Sequence, residues 1–409
     1  MHTGSPDWLD TLALAVTLFG LLHAVLLAVY SYEMIRSARS RLRTAPLSED
    51  APVVELFVPC KGHDPEFDQT IGRILNLDYP VYRVTFVVES VSDPAHARLA
   101  RLLAAHHGVP ARIVVAGLAQ GCGQKVHNLI EATAQAAADA AVLAFADSDA
   151  IPSRDWLRRL VAPLASAKYG VVTGNRWFNA PPGQWPGAIL SAMNASVALG
   201  VDHLHLCTVW GGAWAMRRED FERMQQAGVW RGALTEDLPT GQWVRRQGLR
   251  VRVEPGCIVA TSAGGDTGQL IEFARRQLLI TRVYDRKIWI GLFLAAAVGV
   301  ATFGLGLSLT LACAVTGRPW LMPAVFFAMT YLIHCVRALA RQRLMARRFQ
   351  QHFGRQLSTW LDIFGHPLMV ALNLVLMVST AWGREITWRH IRYRMHDASR
   401  TQILARRVA

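Results

Sequence analysis

Between Pro52 and about Tyr284, short β-branched runs alternate with stretches rich in Ala and Leu. Residues 53–58 read as a buried strand, and 84–88, 112–115 and 141–146 as three more. Helical spacing covers 67–75, 95–106 and 125–138. Strands alternating with helices predict an α/β fold with a mainly parallel, Rossmann-like sheet covered on both faces. Ligands bind such sheets at the carboxyl ends of the strands.

Outside this region the pattern changes to long apolar blocks. Residues 11–32 are long enough to span a bilayer, and Arg36, Arg39, Arg41 and Arg43 follow them. The flank before them carries no Lys or Arg, so this is an anchor with the next domain in the cytosol. His23 within it reads as a packing residue. A second block, 288–336, is cut by Thr316-Gly317-Arg318-Pro319 into two spans, followed by Arg337, Arg341, Arg343, Arg347 and Arg348. A third, 361–382, is interrupted by Gly365-His366-Pro367. A basic tail with Arg384, Arg389, Arg392, Arg394, Arg400, Arg406 and Arg407 comes after it. A full crossing would put that tail outside, against the charge rule, so a re-entrant or interfacial hairpin is expected. The expected division is an N-terminal anchor and basic flank at 1–44, a cytosolic α/β domain at 45–286, a membrane region at 287–383 and a cytosolic tail at 384–409.

Composition agrees. Of 409 residues 52% are hydrophobic, and mean hydropathy is +0.21, high for a wholly soluble chain. The net charge of +13 gathers at membrane edges, which explains it by topology and anionic lipid. No soluble face interleaves basic and aromatic residues, which excludes nucleic acid as a partner. The cysteines (60, 122, 207, 257, 313, 335) have neither zinc spacing nor a disulfide framework.

Candidate chemistry sits after the strands. Pro59-Cys60-Lys61-Gly62 follows the first, Glu89-Ser90 and Asp93-Pro94 the second, and Asp147-Ser148-Asp149 the fourth. Neither GxGxxG nor a P-loop occurs there. An acidic rim without a phosphate loop suggests a divalent cation beside a diphosphate. The alternative for Asp147 and Asp149 is a loop capping a helix begun by Pro152 and Ser153. Asp237, in Thr235-Glu236-Asp237, is a general base or a helix cap. Trp210-Gly211-Gly212-Ala213-Trp214 offers close backbone approach and aromatic faces for a sugar or lipid, or is a tight turn with core tryptophans.

In this order, these pieces resemble the ceramide glucosyltransferase family, within the inverting GT-A glycosyltransferases. The similar stretches include Gly123-Gln124-Lys125-Val126-His127-Asn128-Leu129 and the tail Ile386-Thr387-Trp388-Arg389-His390-Ile391-Arg392-Tyr393. The resemblance implies a membrane-bound, metal-dependent enzyme that moves a hexose, glucose first, from a UDP-sugar to a lipid hydroxyl with inversion. Asp149 would bridge the diphosphate to Mg2+ or Mn2+, and Asp147 would hold the metal or the ribose. Pro59, Lys61, Glu89 and Lys125 would serve the nucleotide. Asp237 would deprotonate the acceptor, held among Trp210, Gly211, Gly212, Trp214 and Glu236.

Two departures stand out. Ser90 occupies a position that is acidic in relatives, leaving Glu89 or Asp93 to substitute. The (Q/R)xxRW motif has no Arg-Trp pair, since Leu279 stands at its arginine; Arg276 and Arg282, on nearly the same helix face, are the expected diphosphate clamp. Ceramide is the expected acceptor, with a hopanoid or other lipid alcohol next. A processive polysaccharide synthase would need more spans. An inactive nucleotide- or lipid-binding membrane scaffold is the rival of a different class. A bacterial inner membrane is the expected location.

Overall fold

The computed structural model describes residues 8–42, 51–62, 64–198, 208–349 and 356–406. Arg43, Cys207 and Arg407, and the side chains of Arg41 and Arg348, lie outside what it describes.

A long helix, α1 (Trp8–Leu42), precedes the α/β unit. That unit begins β1 (Val54–Pro59), α2 (Phe67–Ile74), β2 (Tyr82–Val88), α3 (Pro94–Ala104), β3 (Ala111–Val115), α4 (Gln124–Thr133) and β4 (Val142–Ala146). These are the expected alternations, with α4 ending earlier than its Ala-rich run. The buried carboxylate of Glu55 accepts the Ala137 N–H at 2.7 Å, which turns the chain back toward β4.

The unit continues through α5 (Trp156–Val161), β5 (Tyr169–Asn179), α6 (Trp185–Ala198), β6 (Ala213–Arg217), α7 (Arg218–Gln226), α8 (Asp237–Arg246), β7 (Arg250–Ser262) and α9 (Thr267–Tyr284). The seven strands run in the order β3-β2-β1-β4-β6-β5-β7. Only β6 is antiparallel to its neighbours. Strand alternation splits the core into two layers. Leu56, Val58 and Phe86 pack with Ile71 and Leu99 on one face. Phe57, Phe145 and Trp214 pack with Val126, Leu129 and Trp230 on the other.

Then come α10 (Arg286–Val315), α11 (Leu321–Arg348), α12 (Leu357–Phe364) and α13 (His366–Ser379). Among the described residues, three helices, in α1, α10 and α11, are long and apolar enough to cross a membrane. The α12–α13 pair bends by 87° and is a broken span or a re-entrant loop. Buried Arg341 on α11 forks onto Asp362 of α12, and Gln342 donates to the same carboxylate at 2.8 Å.

The tail is a folded sheet, β8 (Glu385–Trp388), β9 (Ile391–Asp397) and β10 (Arg400–Arg406), all antiparallel. Ile391, Tyr393 and Met395 point inward while Arg392 and Arg394 face out onto Glu385. The inward residues pack on Leu234, Leu279 and Tyr284, so the tail docks on the α/β unit.

Candidate active site

The carboxyl ends of β1 and β4 open into a cleft of about 860 Å³. Pro59, Lys61, Lys125, Asp147, Asp149, Arg176, Trp210, Gly211, Gly212, Asp237, Arg276 and Arg389 all reach its wall. β1, α4, the end of β4, β5, α8, α9 and the tail hairpin therefore converge on one space.

Lys125, in the first turn of α4, is the hub. Its Nζ lies 2.7 Å from Asp147 and 2.6 Å from Glu236, and donates to the Gly211 carbonyl at 3.1 Å. Burial lowers the ammonium pKa, and the two carboxylates more than offset that, so it stays charged. Burial pushes Glu236 up to about 7, with Lys125 opposing and Asp237 adding to the rise. Glu236 is only 1% exposed and lies behind Lys125, outside the residues that line the cleft.

Asp147 and Asp149 leave β4 and share Arg176 of β5, whose Nη2 is 3.0 Å from Asp147 and 3.1 Å from Asp149. Burial opposes ionisation at both. At Asp147 the Lys125 and Arg176 charges prevail and lower the pKa. At Asp149 burial prevails over Arg176, reinforced by Asp147 and Asp64, and the pKa is raised. The next helix starts at Trp156, beyond Asp155, so neither residue caps it.

Asp237 is held by three donors. Its Oδ2 accepts the Gly211 N–H at 3.1 Å, and its Oδ1 accepts the Thr235 hydroxyl at 2.6 Å and the Leu238 N–H at 2.7 Å. The glycine pair is required by space. A Cβ on Gly211 would lie 2.4 Å from Glu236 Oε1, and one on Gly212 2.2 Å from the Trp210 ring and 2.7 Å from Asp147 Oδ2.

Several expected residues lie elsewhere. Trp214 is fully buried, stacked on Phe145 with centroids 3.9 Å apart, so it presents no face to an acceptor. Glu89 pairs with Lys61 and lies 3.9 Å from Arg406, outside the cleft wall. Asp93 caps α3 through the Ala95 N–H at 2.9 Å and accepts the Gly62 N–H at 2.8 Å. Arg282 turns away and donates to the carbonyls of Ala381 and Gly383. Arg276 does face the cleft, 5.5 Å from the Trp388 ring centroid, and burial lowers its pKa to about 10.

Sequence reasoning did not find Arg176 or Asp64. Arg176 sits on a long strand with no motif around it. Arg389, expected from the tail as a fallback cation for the diphosphate, stands at a two-residue turn where it and His390 both have positive φ (49° and 65°). It ion-pairs with Asp64 at 2.7 Å.

Among the described residues, no three His, Cys, Asp or Glu side chains form a metal-holding group. Two carboxylates still suit a divalent ion that takes its other ligands from a diphosphate and water. The raised Asp149, buried beside two like charges, fits a position that gains from added positive charge.

The seven-stranded, mostly parallel order with one reversed strand, flanked by terminal apolar helices, is a GT-A-like α/β fold with an acidic pair at the end of β4. Residues 18–401 match glycosyl transferase family 21, and the chain belongs to that family. It is 30% identical over 90 residues to a ceramide glucosyltransferase of Komagataella phaffii. That match spans 22% of this chain and 18% of the relative's length. A mannosyltransferase from Pyrobaculum calidifontis, solved with GDP-Man and Mn2+, is 18% identical with TM-score 0.49, over 91% of this chain and 97% of its own. Glucosyl-3-phosphoglycerate synthase from Mycobacterium tuberculosis, solved with Mn2+ and UDP-glucose, is 14% identical with TM-score 0.38, over 60% and 80%.

Proposed function

We propose that this chain transfers a hexose, glucose first, from a UDP-sugar to the hydroxyl of a membrane lipid, ceramide before a hopanoid, at the cytosolic face. The carrying observation is that one cleft joins two chemistries. Its floor holds Asp147, Asp149 and Asp237, while Pro186, Leu190, Leu270 and Phe273 of α6 and α9 make an apolar wall. Behind that wall Ile189 and Met193 of α6 and Ala274 of α9 pack with Met369 and Leu376 of α13, in the bent apolar pair. A charged donor and a greasy acceptor fit the two ends.

In this reading Asp237 takes the proton from the acceptor hydroxyl. The oxygen attacks the anomeric carbon as its bond to the diphosphate breaks, and UDP leaves with the electron pair. The three donors around Asp237 keep its carboxylate oriented for that transfer. Lys125 holds Asp147 in place, and Lys61 and Arg276 add positive charge along the diphosphate path. Asp149 and Asp147 would hold a divalent ion, which supplies charge neutralisation to the leaving group.

The tail supports a topology. It docks on the α/β unit, so the chain entering α12 after two crossings and the chain leaving α13 lie on one side of the membrane. A re-entrant α12–α13 pair satisfies this, and the basic flanks favour the cytosol as that side.

The test is UDP release by purified protein from UDP-glucose and other UDP-hexoses, with ceramide or a polycyclic lipid alcohol. Lipid-dependent release is expected, abolished by EDTA and restored by Mn2+ or Mg2+. Asp149→Ala should be inactive. Release from no donor–lipid pair would leave the inactive scaffold as the better reading, and full activity in EDTA would remove the metal.

A further inference from the structure

Arg176 occupies the place in the cleft where positive charge matters most. Its guanidinium forks onto Asp149, with Nη2 at 3.1 Å and Nη1 at 3.4 Å, and reaches Asp147 at 3.0 Å. The group lies over two rings, 5.2 Å from the Trp210 centroid and 5.5 Å from that of Phe178. Its buried Nε–H has no hydrogen-bond partner among the described residues. The β5 backbone beneath it is fixed from α6, where Asn194 donates to the Arg176 carbonyl at 2.8 Å.

Charge counting gives this arrangement a consequence. Lys125, which Asp147 shares with Glu236, and Arg176, which holds both Asp147 and Asp149, offset much of the charge of the acidic pair. Arg276 and Arg389 stand close enough to feel Asp149 as well. A free divalent cation entering here has to displace the Arg176 guanidinium from the Asp147 and Asp149 oxygens and is repelled by it. A divalent ion paired with a nucleotide diphosphate brings almost no net charge. Its phosphate oxygens also give the displaced guanidinium a new planar partner, which a bidentate fork suits better than a point charge.

We propose that Arg176 is a positioning residue that covers the metal-facing oxygens of Asp147 and Asp149 in the nucleotide-free protein, so that a divalent ion is taken up only together with the nucleotide diphosphate. When the pair arrives, the guanidinium hands the carboxylate oxygens to the metal and turns to the diphosphate. Trp210 and Phe178 limit how far it swings, and its free Nε–H is an additional donor on that side. The inference rests on the donor and metal of the proposed function and adds an order of binding to them.

The experiment is electron paramagnetic resonance of free Mn2+ titrated with full-length protein in detergent, first alone and then with UDP. Wild type is expected to leave the free-ion signal nearly intact until UDP is added. Arg176→Gln removes the competing cation and keeps a polar side chain. It should bind Mn2+ without UDP at least about tenfold more tightly than wild type, while its transfer activity falls. Arg176→Lys, which keeps the charge and loses the fork, should fall between them. A merely structural arginine moves the reading the other way, since loosened carboxylates bind Mn2+ more weakly with and without UDP. If neither variant binds Mn2+ alone more tightly than wild type, the proposal is overturned. A wild type that takes up no Mn2+ even with UDP overturns the metal-dependent reading itself, and wild-type binding that ignores UDP overturns only the order of binding.

Discussion

The Tyr393 hydroxyl accepts the backbone N–H of Gln124 at 3.2 Å, across 269 positions of sequence. Gln124 opens α4, one residue before Lys125. Arg406 adds bonds to Gln124 Oε1 at 2.9 Å and to the Ala119 carbonyl at 2.7 Å. The end of the chain thus braces the turn that carries the cleft's central cation. Tyr393→Phe leaves a buried N–H without its partner and should cost about 1–3 kcal/mol, read as a lower melting temperature with transfer retained. Deleting 385–409 strips Ile386, Tyr393 and Met395 from Leu234 and Tyr284, next to Asp237, and should abolish transfer. A truncated chain with wild-type turnover would show the tail to be dispensable.

The first half of the sheet was legible because β1, β2 and β4 are buried on both faces and read as apolar runs. β5 and β7 were not, since Asn175, Arg176 and Glu254 interrupt them with polar residues directed at the cleft or the sheet edge. The tail sheet had a period-2 signal in Ile391, Tyr393 and Met395, hidden by the arginines between them. At the candidate site, Pro59, Lys61, Asp147 and Asp149, which close or follow strands, do line the cleft, while Glu89 does not. Residues recruited across the chain by ion pairs, Arg176 and Asp64 above all, carry no spacing that announces them.

Asp237→Asn keeps the shape of the side chain and most of its acceptor bonds. It should fold, bind UDP-sugar and lose transfer by about 10²–10⁴. Donor binding by calorimetry and turnover by UDP release separate the two properties. Near-normal turnover in this variant would make Asp237 a residue that only orders the start of α8.

Glu236 makes a pH prediction. Burial raises its carboxyl from 4.5 to about 7 despite Lys125. Between those values the unfolded chain releases a proton that the folded chain keeps. The associated stability is fully present below 4.5 and lost as pH rises through about 7. Glu236→Gln removes this titration. The melting temperature of the variant minus that of wild type should therefore grow more positive between about pH 5 and about pH 8. The opposite trend would mean that Lys125 keeps Glu236 ionised throughout.

Topology is testable by labelling. With two crossings by α10 and α11 and a re-entrant α12–α13 pair, the turn at Thr316 and the strand at Gln402 lie on opposite faces of the membrane. In a background without reactive native cysteines, Thr316→Cys should react with an impermeant reagent applied to intact cells. Gln402→Cys should react only after lysis. External labelling of Gln402→Cys would make α12–α13 a full span and detach the tail from the cytosolic side.

The diphosphate clamp expected from α9 divides into two different residues. Arg276 lines the cleft, 5.1 Å from the Phe273 centroid and 5.5 Å from that of Trp388. Burial lowers its pKa only to about 10, so it stays charged at neutral pH. A preoriented cation beside a departing diphosphate contributes most in the transition state, so Arg276→Ala should lower kcat by about 10²-fold. Its effect on the melting temperature should be small. Arg282 instead ties α9 to the carbonyls of Ala381 and Gly383, where the chain leaves α13 for the tail. Arg282→Ala frees that junction and should lower the melting temperature while the folded fraction keeps its kcat. Arg276→Lys holds the charge without the planar stack on Trp388 and should recover part of the lost rate. If Arg276→Ala keeps wild-type kcat, the leaving group must draw its cations from Arg176 and Arg389.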